Sequence, residues 1–522
     1  MRFLSTAMSV IVAVMARKVR PAAAADLLKA MNVGRWPEIV ISTSAKRRAI
    51  HDAVRRGDLR PIASRIYTPN LRDDPAQIIR RHWIQVTAAF FPNSVISDRS
   101  AAYAEMVVDG NLFLVHTGPA RDLVLEGLEL RARNGHGPLP SDIQFGDTDL
   151  YRASDARLLV ENMLPSRSRR SIRRRLDQRE VEEYLDRMLR SAGESRLRHV
   201  ADEIHEVARQ LGLESEGARA LDLVRTFLGT DVVEAQSRVL KARVRGEPFD
   251  PDRLELFAIL GRNLAGLQPV QIPADPSMQP EFPFFEAYFS NFIEGTEFGL
   301  DEAKHIVDTG EIPGNRPKDA HDVLGTYQLV SDPSVMSQIP SAASELIGLL
   351  RDRHKTLMLY RPEVRPGMFK LQNNRDGGTT FVSWDRVHGT LREGFEIGQG
   401  LLDPLARGIY LMFLISEVHP FDDGNGRIAR IFLNAELYSR EQQRILVPTM
   451  RRLDYLDSLR ILSRQKKPEL LPMVMADLQR YSSQTDWSSF DTARKQLEKD
   501  GAFAETPGSG SLAALLLRPH NS

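Results

Sequence analysis

Nine consecutive residues, His419-Pro420-Phe421-Asp422-Asp423-Gly424-Asn425-Gly426-Arg427, with Arg430 shortly after, carry a dense set of groups able to do chemistry. His419 is the side chain of the stretch that takes up a proton near neutral pH, as a general base must. Asp423 offers the kind of carboxylate that holds Mg²⁺ against phosphates. Gly424 and Gly426 leave backbone N–H groups uncovered where a helix begins and adds its own unpaired N–H groups, a setting for an anion. Arg427 and Arg430 fall on neighbouring positions of one helix face and can grip phosphate oxygens. A base, a metal carboxylate, an anion hole and two arginines together point to nucleotidyl or phosphoryl transfer.

Two helices must position these groups. Leu405, Ile409, Met412, Phe413 and Ile415 give Leu401–Val418 a buried helical face, and Ile428, Ile431, Phe432 and Leu437 do the same for Ile428–Tyr438. The Pro, Asp and Gly residues between them form turns rather than helix interior. A His-Pro pair alone would be an ordinary helix cap; the full set at this spacing is not.

HPFDDGNGRIAR resembles the Fic family signature, His-Pro-Phe-x-Asp/Glu-Gly-Asn-Gly-Arg-x-x-Arg, at every defined position. The resemblance implies a helical core and transfer of AMP from ATP, with Mg²⁺, to a Tyr, Thr or Ser hydroxyl of a target protein. It would make His419 the base and Asp423 the Mg²⁺ ligand. Phe421 would pack the ATP-binding loop onto the core, Gly424, Asn425 and Gly426 would form the anion hole, and Arg427 and Arg430 would contact the ATP phosphates.

Upstream, Phe285, Tyr288, Phe289, Phe292 and Ile293 predict an amphipathic helix carrying Glu294, after a Pro-rich linker Pro269–Pro283. Ser290 to Gly295, SNFIEG, is similar to the Ser/Thr-x-x-x-Glu-Gly/Asn inhibitory motif of the same family. A Glu294 carboxylate delivered to Arg430 as a bidentate pair would occupy an arginine needed by the ATP γ-phosphate, leaving the α-phosphate out of line. The expected resting state is therefore self-inhibited. Some family members with such a glutamate also remove AMP, so the reverse reaction stands as an alternative. Pro366–Leu371 and Thr379–Val382 predict two strands around a turn. In the family this flap docks the target by main-chain pairing, which singles out Met368, Phe369, Lys370, Thr380 and Phe381, with Lys370 where relatives commonly have Arg. His354, on a helix predicted over Ala342–Tyr360, reads as a surface or core histidine rather than a second base.

The rest of the chain is long enough for further domains: 522 residues, 42% hydrophobic and 27% charged, with a net charge of +1 that excludes a global polycation. The absence of cysteine excludes disulfides and thiolate metal sites and fits a cytoplasmic protein. Phe3–Ala16 is apolar but too short to span a bilayer, and Arg17, Lys18 and Arg20 stand where a signal cleavage region should be uncharged, so neither membrane insertion nor export is expected.

The first sixty residues are basic. Ser42-Thr43-Ser44 as N-cap, a helix Ala45–Arg56 and a strand or wing over Leu59–Tyr67 suggest a winged-helix module, with Lys46, Arg47, Arg55 and Arg56 facing DNA. RRAIHDAVRRGDLRPIASRIYTP and FFPNSVISDRSAAY loosely resemble AbiEi-type antitoxins over residues 20–225, implying a winged helix followed by an α/β region. There Ile79–Phe91 reads as helix, and Phe113–Val115 and Leu123–Leu125 as short strands. The run Arg167–Arg175 is either a polyanion contact or a solvated helix start.

The expected architecture is mainly α. It has a winged-helix module (1–75), a mixed α/β then helical region (76–235) and a linker with a leading helix (236–283). A helical Fic core with a β-hairpin flap (284–460) follows, then C-terminal helices and a flexible tail (461–522). Two further alternatives stand beside adenylylation and its reverse: a Fic enzyme with another nucleotide or phosphate donor, and a DNA-binding regulator using the Fic part as a sensor. A protein substrate at the flap is the expected partner; DNA or another protein at the N-terminal module, and homo-oligomerisation, are left open.

Overall fold

A computed structural model describes residues 36–165, 173–269, 271–296, 298–376 and 378–505. The chain divides into two compact units, Met1–Ser237 and Arg238–Ser522. The apolar run Phe3–Ala16, most of the Arg167–Arg175 run and the tail from 506 lie outside the described residues. Among the described residues no helix is long and apolar enough to cross a membrane.

In the first unit, β1 (Val40–Ile41), β2 (Arg60–Ala63) and β3 (Ile66–Thr68) form an antiparallel sheet in the order β1-β3-β2, beside the helix Arg47–Arg55. Val40, Ile50, Ala53 and Leu59 make its small core. Of the expected winged-helix module, this one helix and sheet are the described part. The helix starts at Arg47 rather than Ala45, and Ser42-Thr43-Ser44 do not cap it: Lys46 is the N-cap, without a side-chain bond, while the Ser42 N–H pairs with the Arg65 carbonyl at 2.8 Å. Lys46, Arg47, Arg55 and Arg56 are all exposed, and Arg55 and Arg56 donate to Asp52 and Asp58 at 2.7 and 2.8 Å.

The second sheet is six-stranded: β4 (Ser94–Ile96), β5 (Asn111–His116), β6 (Arg121–Leu125), β7 (Leu128–Asn134), β8 (Ile143–Gln144) and β9 (Leu150–Arg152), in the order β6-β7-β5-β4-β9-β8. The β5–β7 and β4–β9 pairs are parallel, with Ile96, Leu112, Leu114, Leu130 and Leu150 buried. The helix expected over Ile79–Phe91 is two, Pro75–Arg81 and Trp83–Phe90, broken at His82, whose ring nitrogen lies 2.8 Å from Glu38. Farther on, Gln178–Leu211, kinked at left-handed Gly193, packs against Glu214–Phe227.

The described end of the basic run turns inward. Asp98 is fully buried, and Arg174, Arg133 and Arg175 approach its carboxylate at 3.0, 3.3 and 3.6 Å, while Arg173 pairs with Asp177 and Glu180 at 2.6 and 2.8 Å. Burial pushes the Asp98 carboxyl up, but the three guanidinium groups outweigh it and hold it below the usual carboxylate range. These arginines thus neutralise the chain's own acids.

In the second unit, the helices Pro404–Val418 and Asn425–Tyr438 form the centre, buried on nearly every side. Pro251–Ala265 and Val387–Gly398 pack on the first of them, and Pro317–Ser331 and Ala343–Leu357 on the second. The stretch expected as a linker is pinned: the Ala274 N–H donates to the Glu441 carbonyl at 2.9 Å, and the Gln443 N–H to Ile272 at 2.7 Å. Pro283 already sits in the first turn of the helix Phe282–Ile293, where a missing N–H costs nothing. That helix is seated in an aromatic cluster. Phe282 meets Trp487 edge-on at 5.0 Å between ring centres, and Phe285 stacks on Phe490 at 5.7 Å. Trp487 is a buried plug, its indole N–H on the Ser482 carbonyl at 2.8 Å, and the helix Phe490–Lys499, capped by Ser489, follows it.

Asp98 has a left-handed backbone (φ 53°), which asparagine tolerates, so Asp98→Asn removes only the charge. It is expected to destabilise the first unit by about 3–5 kcal/mol, since a broken buried pair strands the arginines. A urea transition at an unchanged midpoint would refute this.

Candidate active site

Helix Pro404–Val418, capped by Asp403, ends because His419 takes a left-handed conformation (φ 53°, ψ 61°) and Pro420 has no N–H to continue the ladder. The chain then drops Phe421 into the core, fully buried. A buried backbone needs partners. The Phe421 N–H donates to Asn425 Oδ1 at 2.8 Å, and its carbonyl accepts from the side-chain amides of Asn425 and Asn374 at 2.9 and 3.0 Å. Asn425 therefore ties the loop to itself through both ends of its amide. Gly424 (φ 78°) is a left-handed N-cap where a Cβ would lie 2.4 Å from Met358. At Gly426 a Cβ would lie 2.3 Å from the Glu294 carboxylate, so glycine is what lets that carboxylate approach.

His354 supports the loop from beneath. Its ring stacks on Phe421 at 3.7 Å, Nδ1 accepts from the Gly367 N–H at 2.9 Å, and Nε2 lies 3.1 Å from the Asp423 carbonyl. Burial pushes it down to about 4 from its ordinary 6.5, so it is neutral, with the proton on Nε2. Its role is structural, and nothing in its local sequence announces a stack made across the fold.

His419 faces the Ser416 carbonyl through Nδ1 at 3.3 Å, a contact in which Nδ1 is the donor. Phe381 stacks on its ring at 3.7 Å and 10°. Asp423 accepts from the Gly424 N–H at 2.6 Å and meets Arg361 at 3.2 Å, with its side chain 43% exposed. Among the described residues no group of three or more His, Asp or Glu could hold a metal alone. One accessible carboxylate suits Mg²⁺ completed by phosphate oxygens.

The two arginines differ. Arg427 is buried, Nη1 lying 2.7 Å from Asp322 of helix Pro317–Ser331 and 3.2 Å from Asn291. Arg430 meets Glu294 through one bond, Nη2 to Oε1 at 2.7 Å. The expected bidentate pair does not form, and Ser290 shares the fork: its Oγ accepts from Nε at 3.0 Å and its carbonyl from Nη2 at 2.8 Å. Burial pushes the Glu294 carboxyl up, but Arg430 and then Arg427 outweigh it, holding it below the usual range. Gly295 (φ 90°) turns the chain away immediately afterwards. Glu294, Arg430, Gly426, His419, Phe381 and Tyr455 line one cleft of roughly 160 Å³. The sequence did not single out Tyr455, which comes from the later helix Arg452–Gln465.

The flap is shorter than predicted. The paired strands are β10 (Arg375–Asp376) and β11 (Thr379–Thr380), so Met368, Phe369 and Lys370 precede the hairpin and Phe381 follows it. Met368 is exposed and Phe369 leans on Phe421 at 5.3 Å. Lys370 is buried instead of presented. Its N–H donates to the Pro420 carbonyl at 2.9 Å, its Nζ to Asn374 Oδ1 at 2.6 Å, and burial pushes its ammonium down to about 7.

Residues 346–437 match the sequence model of the Fic/DOC family. Protein adenylyltransferase fic-1 of Caenorhabditis elegans is 26% identical over 191 residues, covering 35% of this chain and 37% of that protein. Its counterpart of the same name in Caenorhabditis briggsae is 26% identical over 243 residues, covering 45% and 47%. The chain thus spans less than half the length of these relatives. A solved structure of Fic-1 from C. elegans aligns with 62% of this chain and 94% of its own length at 18% identity and a TM-score of 0.35.

Between about pH 6.5 and 4 the unfolded chain protonates His354 and the folded chain does not. Its contribution is therefore full above the upper value and lost as pH falls toward the lower one. Relative to His354→Gln, the natural protein is expected to lose up to about 3 kcal/mol across that window. Urea melts at pH 7 and 4.5 check this, and parallel losses in the two proteins would contradict it.

Proposed function

We propose that this chain, a Fic/DOC family protein related to the Fic-1 adenylyltransferases, transfers AMP from ATP to a Tyr, Thr or Ser hydroxyl of a target protein and is held off by its own Glu294. One arrangement carries the reading: His419 and the N-terminus of helix Asn425–Tyr438 open on the same cleft, and Glu294 lies in it bonded to Arg430. A helix N-terminus lined by glycine favours an anion. In the resting chain that anion is a carboxylate, and in the active one it is phosphate.

In the transfer, His419 Nε2 takes the hydroxyl proton as the oxygen attacks the α-phosphorus of ATP. The new O–P bond forms while the bond from the α-phosphorus to the oxygen bridging to the β-phosphate breaks, and pyrophosphate leaves. Gly424, Gly426 and the first-turn N–H groups stabilise the charge that builds on the phosphoryl oxygens. Asp423 would hold Mg²⁺ with the phosphates, and the ion when bound neutralises triphosphate charge. Arg430 grips the terminal phosphate once Glu294 has left it. Phe421, Asn425 and Arg427 fix the loop and its helix in place. The target docks beside β11, where Thr379 offers main-chain groups for strand addition.

Glu294→Gly is expected to label target proteins, or the chain itself, when incubated with isotopically labelled ATP and lysate, while the natural chain labels weakly. His419→Ala in the same background is expected to lower labelling by about 10²–10⁴-fold, the range for loss of a general base, with ATP binding largely retained. A Glu294→Gly protein that labels nothing would overturn the reading.

A further inference from the structure

The flap has too little pairing to hold itself. Each of its strands is two residues long, and an isolated two-stranded hairpin is marginal in water even when longer. Yet the residue after it, Phe381, lies flat on the His419 ring. His419 in turn sits in the left-handed region, where a bulky side chain has no intrinsic preference to stay. Something outside both segments has to fix one against the other.

Arg253 is placed to do so. It stands in the first turn of helix Pro251–Ala265, and its guanidinium spans two partners. One terminal nitrogen pairs with Glu417, two residues before His419. The other donates to the backbone carbonyl of Thr380 at 2.5 Å, one residue before Phe381. Glu417 is buried, its side chain 6% exposed, and also accepts from Ser463 Oγ at 3.0 Å, which fixes the carboxylate that Arg253 grips. The contacts close a ring: Glu417, Arg253, Thr380, Phe381, His419, and back to Glu417 through Val418.

We propose that Arg253 is a positioning residue for the transfer, yoking the flap to the helix end that carries the base; this rests on the adenylyl-transfer reading above. Arg253 itself touches no reacting atom. Its planar fork reaches a carboxylate and a carbonyl at once, which a lysine ammonium cannot reproduce.

The test compares Arg253→Lys and Phe381→Leu, each in the full-length Glu294→Gly chain. Lysine keeps a positive charge for Glu417 and gives up the span to Thr380. Arg253→Lys is expected to keep its melting temperature and ATP affinity while the labelling rate at saturating ATP falls on the order of tenfold. Phe381→Leu is expected to fall similarly, and the double variant no further than the worse single one, because both cut the same link. The replacement of the whole pair, Arg253→Met with Glu417→Leu, strands no buried charge and is expected to show the same loss if lysine is poorly accommodated. A readout independent of activity is the proton NMR signal of the His419 ring, displaced upfield by the stacked Phe381. That displacement is expected to collapse in Arg253→Lys and in the paired replacement. His419 signals that stay in place in both, or rate losses that multiply, would overturn the proposal. Absence of any labelling by Glu294→Gly would instead strike the adenylyl-transfer reading, and the NMR measurement would still decide the role of Arg253.

Discussion

A loop whose tip enters a hydrophobic core must satisfy its own backbone there, and the second unit is arranged around that requirement. Phe421 supplies the apolar surface that draws the loop inward. Asn425, Asn374, Lys370 and His354 then supply bonds for the carbonyl and amide groups carried in with it. Each comes from a different turn of chain, so the loop has one geometry in which all are met. The left-handed turns at His419 and Gly424 persist because this surrounding set over-determines them. A histidine at the rim and a helix N-terminus facing the same cleft follow from that single constraint.

Arg430 adds an electrostatic requirement. A guanidinium almost closed off from water needs a partner, and Ser290 and Glu294 provide it from a helix more than a hundred residues earlier. The side chains of the pair are unequally covered, Arg430 at 8% exposure and Glu294 at 33%. In the proposed reading the better-covered arginine stays and the acid is the removable member. In the proposed reading, a triphosphate replaces one anion by another and leaves the cation where it was, which suits a site that exchanges partners without repacking its floor.

Local order was legible wherever the signal was local. The periods of Leu405–Ile415 and Ile428–Leu437 mark two helices, and Pro, Asp and Gly mark the turn between them. The Phe285–Ile293 stripe likewise marks the helix that ends beside Glu294. What escaped was set by distant partners. Arg427 and Arg430 look alike in sequence, yet Asp322 claims one and Ser290 with Glu294 the other. The hairpin falls later than its residue types suggest, because the Lys370 N–H bonds to Pro420 rather than to a ladder partner. In the first unit, β7 alternates Leu128, Leu130 and Ala132 inward against Glu129 and Arg131, a period-2 signal that was available. By contrast β4, three residues and wholly buried, carries no period to find.

The aromatic seat of helix Phe282–Ile293 sets an order in time. Trp487 and Phe490, which clasp Phe282 and Phe285, leave the ribosome about two hundred residues after the helix they hold. The loop at His419 and the arginine at 430 are already made by then. A nascent chain, or one ended early by a premature stop, thus has the His419 loop and Arg430 before the carboxylate that meets them has a firm mounting. In the proposed reading the last stretch of described chain is a late-arriving safety catch, and its loss would be felt in the cleft rather than at the terminus.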